Sequence, residues 1–145
     1  MISTVRLMLS KLRIGALALL SISFMTMKAK QSYIFLAPGV EEIEAMATID
    51  ALRRADIPVV AVAVDTTLQI KGATGQTIVA DSLISDIDIT DADWLIVPGG
   101  VPGAPNLHAS QAVSTLLKEH YAKGGRIASI CAGPVSYTHL RAHET

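Results

Sequence analysis

The amino-acid sequence predicts an α/β domain with a doubly wound, mostly parallel sheet. Short apolar runs alternate with segments that carry apolar residues at helical spacing, which is the pattern of repeated βα units. Half of the residues are hydrophobic but only 4% are aromatic, as in a protein with an aliphatic core. A length of 145 residues gives room for one such domain.

The strands and helices can be placed in chain order. The predicted strands are residues 33–37, 58–64, 94–97 and 126–130, and two short segments, 68–70 and 76–79, predict a small excursion at the sheet edge. The helix after the first strand carries Ala45 and Ile49 on one side. Acidic residues lie in its first turn and basic residues in its last, as the helix dipole favours. Another helix is predicted over residues 110–122, and the Gly-Gly pair at 124–125 ends it.

The only cysteine lies just after the last predicted strand, in the run Ile130-Cys131-Ala132-Gly133-Pro134. Small residues after the cysteine allow the strand to reverse sharply into a helix, which predicts a nucleophile elbow with the thiol above the sheet edge. The N–H groups at the start of that helix favour the thiolate, which is the reactive form. The alternative is a small apolar cysteine that fills a core, the usual place of a lone cysteine.

Two further turns are predicted to meet Cys131 at the carboxyl edge of the sheet, where doubly wound proteins carry their chemistry. Glu44 lies just inside the first helix, and Gly99 and Gly100 follow the strand that begins at Trp94. Each has a plainer interpretation, since Glu44 can be a solvated carboxylate and the glycines a tight turn. Trp94 is interpreted as a core residue rather than a stacking platform.

Composition and spacing argue against several kinds of site. A net charge of −1 without a basic run disfavours a nucleic-acid partner, and a single cysteine excludes an intrachain disulfide. His108 and His120 are predicted to lie at the surface. No histidine has metal-ligand spacing with another histidine or with Cys131, so neither a metal nor a cofactor is predicted. The segment after Gly99 lacks the Gly-Lys-Ser/Thr ending of a P-loop.

Residues 1–27 differ from the rest because they are basic and contain no acidic residue. Their apolar run, Ile14–Leu20, is too short to span a bilayer, so no stable membrane association is predicted. The segment fits a signal peptide of a secreted or periplasmic protein, an organelle presequence, or upstream sequence translated before a cytoplasmic start at Met27. The last interpretation is preferred because Met27 leads directly into the first strand. Residues 28–134 are accordingly interpreted as the N-terminal part of a domain that is incomplete at its C-terminus.

Four stretches of the chain, taken in order, resemble the ThiJ/PfpI superfamily. They are residues 36–44, 49–55, 97–100 and 130–134. The resemblance is strongest to the branch of parkinsonism-associated deglycases and glyoxalase III-like proteins. It implies a flavodoxin-like sheet of the class I glutamine amidotransferase type, and a homodimer with Arg54 and the first helix near the contact.

The resemblance also implies roles for individual residues. Cys131 is the nucleophile and Glu44 its neighbouring acid, while the backbone N–H groups of Gly100 and Ala132 are oxyanion donors. The implied reaction is glyoxalase or deglycase chemistry on a small reactive carbonyl, namely methylglyoxal or its early amine adducts. A Glu44 carboxyl kept neutral by apolar surroundings would donate a hydrogen bond to the thiolate, whereas a charged carboxylate would repel it.

Three other functions are considered. Cys131 could be oxidised without turnover, in a redox sensor or stress chaperone. A peptidase or amidase would need a histidine downstream of the elbow. An α/β-hydrolase is disfavoured, because Glu44 and the Gly99-Gly100 turn have no part in its elbow.

Residues 135–145 resemble the in-frame translation of a transposase-type sequencing adapter rather than superfamily sequence. The superfamily supplies a histidine from the region after the elbow, and His139 and His143 are not assigned that role. The helix that would cover the sheet after the elbow is then built from foreign residues. The chain is therefore expected to be poorly stable or prone to aggregation, and inactive as it stands.

Overall fold

The computed structural model describes residues 29–136, which form an α/β fold of three layers. The strands are β1 (Ser32–Leu36), β2 (Val59–Ala63), β3 (Gln69–Lys71), β4 (Thr77–Val79), β5 (Ser82–Leu83), β6 (Trp94–Val97) and β7 (Arg126–Ser129). The α-helices are α1 (Glu42–Arg54), α2 (Gly103–Ala109) and α3 (Gln111–Ala122), and short 3₁₀ helices span Ile84–Asp86 and Gly133–Ser136. The leader, the start at Met27, and His139 and His143 lie outside the described residues.

The main sheet has the strand order β5-β2-β1-β6-β7, and each neighbouring pair is parallel. Ile34 in β1 pairs with Ala61 on one side and with Ile96 on the other. The chain adds strands on one side of β1 and then crosses to the other side with β6. The winding thus reverses between β1 and β6, which confirms the predicted doubly wound sheet and places the crevice for chemistry at its carboxyl edge.

Alternate side chains of β1 contribute to two cores, one on each face of the sheet. Ile34 and Leu36 pack with Ile49 of α1, while Phe35 packs with Leu117 of α3. All five side chains are at most 4% exposed. A strand buried on both faces needs apolar residues throughout, which explains the uninterrupted apolar run of β1.

Helices α1 and α3 each begin at a side-chain cap. A carboxylate oxygen of Glu41 accepts the N–H of Glu44 at 2.7 Å, and Ser110 Oγ accepts the N–H of Val113 at 3.3 Å. These bonds satisfy N–H groups that the first turn of a helix leaves unpaired. The cap of α1 also fixes the end of the helix that carries Glu44.

Strands β3 and β4 form an antiparallel hairpin outside the main sheet, within the predicted excursion. Ile70 and Ile78 face each other across it and belong to the same core as α1. The hairpin turn packs on the loop after β1, where the Gly39 N–H donates to the Lys71 carbonyl at 2.7 Å. The excursion is therefore a support for the loop that leads into α1.

The prediction that His120 lies at the surface is wrong. The residue is only 5% exposed, and its Nε2 lies 3.2 Å from the carbonyl oxygen of Arg126. His120 shares the buried face of α3 with Val113 and Leu117, because residues at these intervals lie on one side of a helix. His108, by contrast, is exposed on α2, as predicted.

Helix α2 was not expected from the sequence. It is seven residues long, contains a glycine and a proline, and buries few side chains, among them Ala104 and Leu107. Such a helix has too little apolar periodicity to be recognised. Trp94 is half-buried against the α1-side core, and the guanidinium of Arg126 lies 4.8 Å from the centre of its ring.

Candidate active site

Cys131 lies at the first central position of a tight turn that follows β7. The Gly133 N–H donates to the Ile130 carbonyl at 2.8 Å and closes the turn. Cys131 has a φ of 54°, in the left-handed region that non-glycine residues rarely adopt. Backbone strain of this kind costs about 1–3 kcal/mol and collects at functional sites. The cysteine is also exposed, so its thiol is open to small molecules.

The turn is anchored to the neighbouring strand β6. The Ile130 N–H donates to the Val97 carbonyl at 3.2 Å. A Cβ on Gly133 would overlap the same Val97 carbonyl oxygen, so only glycine fits at this position. The close approach explains why a small residue must follow the cysteine, as the elbow interpretation requires.

Glu44 reaches the same edge of the sheet from the first turn of α1. Its Oε2 accepts the N–H of Gly99 at 2.7 Å, across 55 positions of sequence. The residue is half-buried. Within residues 29–136 the carboxyl of Glu44 makes this bond rather than one to Cys131 Sγ. Direct hydrogen bonding between Glu44 and the thiolate therefore stays a prediction.

Three chemical groups meet around the Cα of Gly99. A Cβ built there would lie 2.7 Å from Glu44 Oε2, 3.0 Å from the Ala132 nitrogen and 3.0 Å from the Cys131 Cβ. The fold thus brings the predicted nucleophile, the predicted acid and one predicted oxyanion donor to a single buried glycine. The absence of a side chain at Gly99 is what allows them to approach.

Gly100, the other predicted donor, continues this turn. Its φ of 101° is accessible to glycine, and a Cβ there would lie 2.5 Å from the Gly39 carbonyl oxygen. Among the hydrogen bonds of the described part of the chain, none uses the N–H of Gly100 or of Ala132 as donor. That these two groups stabilise an oxyanion stays a prediction.

Sequence reasoning did not identify the roles of Glu41 and Glu42, which flank the site. Glu41 caps α1, and its N–H donates to the Gly99 carbonyl at 3.2 Å. Glu42 Oε1 accepts both the N–H and the hydroxyl of Thr74 at 2.8 Å. Three acidic residues near a helix start predict favourable dipole interactions, but they do not reveal which carboxylate meets which loop.

The Glu42 carboxylate is held in its charged form. Burial by itself would raise the pKa of Glu42, but the bonds that it accepts from the Thr74 hydroxyl and from backbone N–H groups outweigh that effect. The pKa of Glu42 consequently lies below its ordinary value of 4.5. The charged Glu42 carboxylate therefore stabilises the folded state.

Metal-holding clusters of side chains and membrane-spanning helices are both missing from the described residues. Across residues 29–136, no three His, Cys, Asp or Glu side chains are placed to hold a metal ion. In the same range, no helix is long and apolar enough to cross a membrane. His120 lies beside Arg126 at the start of β7, whereas Cys131 follows the end of that strand.

Comparison with known proteins identifies the family. The model of the DJ-1/PfpI family matches residues 30–143. The chain belongs to the DJ-1/PfpI family. The Parkinson disease protein 7 homolog of Danio rerio is 36% identical over 118 residues, which cover 81% of this chain and 61% of the relative. The glutathione-independent glyoxalase DJR-1.2 of Caenorhabditis elegans is 39% identical over 119 residues, with the same shares covered.

Solved structures of family members share the fold. Oxidized DJ-1 of Toxoplasma gondii matches with a TM-score of 0.71 and 40% identity, over 74% of this chain and 59% of that one. DJ-1beta of Drosophila melanogaster matches with a TM-score of 0.72 and 32% identity, over 75% and 59%. The superfamily and the flavodoxin-like fold predicted from four motifs are confirmed. The chain spans about three-fifths of the length of the two curated relatives described above.

Proposed function

We propose that this protein is a cysteine-dependent enzyme of the glyoxalase or deglycase type, which acts on methylglyoxal or its early amine adducts through Cys131. The observation that carries the proposal is the convergence at Gly99 of the Cys131 turn, the Glu44 carboxyl and the Ala132 N–H. The name of the Caenorhabditis elegans relative, a glutathione-independent glyoxalase, supports this reaction class.

The first step is attack of the Cys131 sulfur on the aldehyde carbon of methylglyoxal. A C–S bond forms as the π bond of the carbonyl breaks, and negative charge develops on oxygen. The N–H groups of Gly100 and Ala132, which donate to no acceptor within residues 29–136, would stabilise that oxygen. A neutral Glu44 can then give its proton to the alkoxide, which completes a hemithioacetal.

The second step moves a proton between neighbouring carbons. The Glu44 carboxylate takes the hydrogen from the former aldehyde carbon as a proton, giving an enediolate. The proton of the former aldehyde oxygen passes to the neighbouring oxygen, and Glu44 returns its proton to the adjacent carbon. The product is a lactoyl thioester of Cys131. Water hydrolyses this thioester, so methylglyoxal and one water give lactate and the free thiol, without an external oxidant or reductant.

A second candidate function is redox sensing, in which Cys131 is oxidised and no substrate is turned over. Cys131 is exposed, and a sulfinate at this position could accept hydrogen bonds from the same N–H groups. The structure of the Toxoplasma gondii relative is described as oxidized, which favours this candidate as well. Both functions require Cys131, but only the enzyme requires proton transfer by Glu44.

The two candidates are separated by measuring lactate formed from methylglyoxal. For the full-length gene product, lactate is expected from the wild type, none above background from Cys131→Ser, and a loss of at least about a hundredfold in Glu44→Gln, the usual contribution of a general acid or base. A wild type that forms no lactate, but whose Cys131 is converted to sulfinate by stoichiometric peroxide, would support the sensor instead.

We also propose a homodimer that uses α1. Ile43 and Met46 lie one turn apart on this helix and are 75% and 47% exposed, which is unusual for large apolar side chains. Sedimentation of the wild type is expected to show a dimer, and Ile43→Glu is expected to shift it to the monomer. An unchanged profile for that variant would count against α1 as the contact.

A further inference from the structure

The turn of the β3–β4 hairpin is bonded to the loop between β1 and α1 at several points. The Ala73 N–H donates to the Val40 carbonyl at 2.8 Å, beside the Gly39 bond to Lys71. Thr74 makes two bonds of 2.8 Å to Glu42 Oε1, one from its backbone N–H and one from its hydroxyl. We call this arrangement of Glu42 and Thr74 the carboxylate clamp.

The opposite side of the same loop supports the Gly99-Gly100 turn. The Gly39 carbonyl accepts the N–H of Gly103 at 2.9 Å, and the Glu41 N–H donates to the Gly99 carbonyl at 3.2 Å. Residues 39–42 are therefore held between the hairpin turn and the turn that presents Gly100. A shift of the hairpin would move both Glu44 and the predicted oxyanion donor.

The clamp is closely packed. The Glu42 carboxylate occupies the space where a Cβ on Gly72 would lie, and its Oε2 is buried without a hydrogen-bond partner among residues 29–136. Glu42 precedes Glu44 by two positions, so the two side chains leave α1 in different directions. The described contacts of the Glu42 carboxylate connect it to the site through the loop that it holds.

We propose that Glu42 is a positioning residue for the Cys131 site, because the carboxylate clamp fixes the loop that carries Glu44 and supports the Gly100 turn. The catalytic role of the site rests on the proposed function. The position of Cys131 relative to its neighbours is a property of the fold and does not depend on that function. The reactivity of the thiol can be measured without turnover. Cys131 is the only cysteine in the chain, so alkylation reports on it alone.

The test is the rate of alkylation of Cys131 by iodoacetamide at pH 7, in the wild type and in four variants. Glu42→Ala is expected to lower the rate by roughly fivefold, the change expected when a hydrogen bond that holds the site is lost. Glu42→Gln is expected to stay within about twofold of the wild type, because its amide oxygen can still accept from Thr74. Thr74→Val removes the hydroxyl but keeps the N–H, and an intermediate rate is expected.

Ser110→Ala is the matched control, since it removes the cap of α3 and costs about 1 kcal/mol of stability without touching the clamp. Its alkylation rate is expected to equal that of the wild type. The proposal is overturned if Glu42→Ala and Thr74→Val react at the wild-type rate, or if Ser110→Ala slows as much as they do. If Glu42→Ala does not fold, the comparison of the alkylation rates of Thr74→Val and Ser110→Ala decides alone. Absence of lactate formation would count against the proposed function and leave this comparison intact.

Discussion

The Oε2 atom of Glu44 accepts the backbone N–H of Gly99 at 2.7 Å, which joins the first turn of α1 to the turn after β6. This bond connects two of the three chain segments that meet at the carboxyl edge of the sheet. The third, the Cys131 turn, lies against the same glycine. The site therefore depends on backbone positions as much as on its two reactive side chains.

A methyl group at Gly99 should separate the components of the site. In Gly99→Ala the new Cβ would meet Glu44 Oε2, the Ala132 nitrogen and the Cys131 Cβ at 2.7–3.0 Å, so at least one must move. Overpacking of this kind costs about 1–3 kcal/mol. We expect urea denaturation to show that loss, and alkylation of Cys131 to slow. Unchanged values for both would mean that the three groups are not packed as described.

Replacement of Cys131 by glycine should stabilise the fold relative to replacement by alanine. The φ of 54° strains any residue with a Cβ, and glycine removes that strain. The left-handed conformation costs alanine about 1–2 kcal/mol, and glycine loses about 0.5–1 kcal/mol of conformational entropy on folding. Cys131→Gly is therefore expected to be more stable than Cys131→Ala by up to about 1 kcal/mol. Urea denaturation of the two variants measures the difference. A more stable alanine variant would show that the turn is not strained.

The two roles of Glu44 should separate in its variants. Glu44→Gln keeps an oxygen that can accept the Gly99 N–H, so its stability should stay close to that of the wild type although turnover is lost. Glu44→Ala leaves a buried N–H without a partner, which costs about 1–3 kcal/mol. Thermal denaturation and lactate formation, measured on both variants, test this. A glutamine variant as unstable as the alanine variant would contradict it.

The carboxylate clamp should make stability depend on pH. The pKa of Glu42 is lower in the folded than in the unfolded chain, so its contribution is present above the ordinary value of 4.5 and is lost as the pH falls through the folded-state pKa. Glu42→Gln cannot titrate. The stability advantage of the wild type over this variant is expected to shrink between roughly pH 6 and pH 3. A constant difference across that range would show that the carboxylate is not favoured by folding.

The sequence was sufficient to predict the doubly wound sheet, because β1 and β6 are buried on both faces and each carries an unbroken apolar run. It was also sufficient to select Cys131, Glu44 and the two donors as candidates, since small residues and motifs mark their turns. Glu42 could not be found in this way. Its role depends on Thr74, a residue 32 positions away whose hairpin docks by backbone bonds that leave no pattern in side-chain type.

His120 and α2 show two other limits of sequence reasoning. A histidine near a helix end reads as a surface residue, and only the packing of α3 onto the sheet reveals that position 120 faces inward. Helix α2 is set by tertiary contacts, since the N–H of Gly103 is fixed by the Gly39 carbonyl rather than by a side-chain cap. Local propensity carries little information where such contacts decide the structure.

The most direct test of the central claim compares Cys131 in the folded chain with the same residue in the chain unfolded in urea. The reactivity of the thiol is attributed to its folded surroundings, which are the strained turn, Glu44 and the N–H groups of Gly100 and Ala132. Iodoacetamide is therefore expected to alkylate the folded form at pH 7 at least about ten times faster than the unfolded form, as for cysteines in activating surroundings. An equal or slower rate in the folded chain would contradict the assignment of Cys131 as an activated nucleophile.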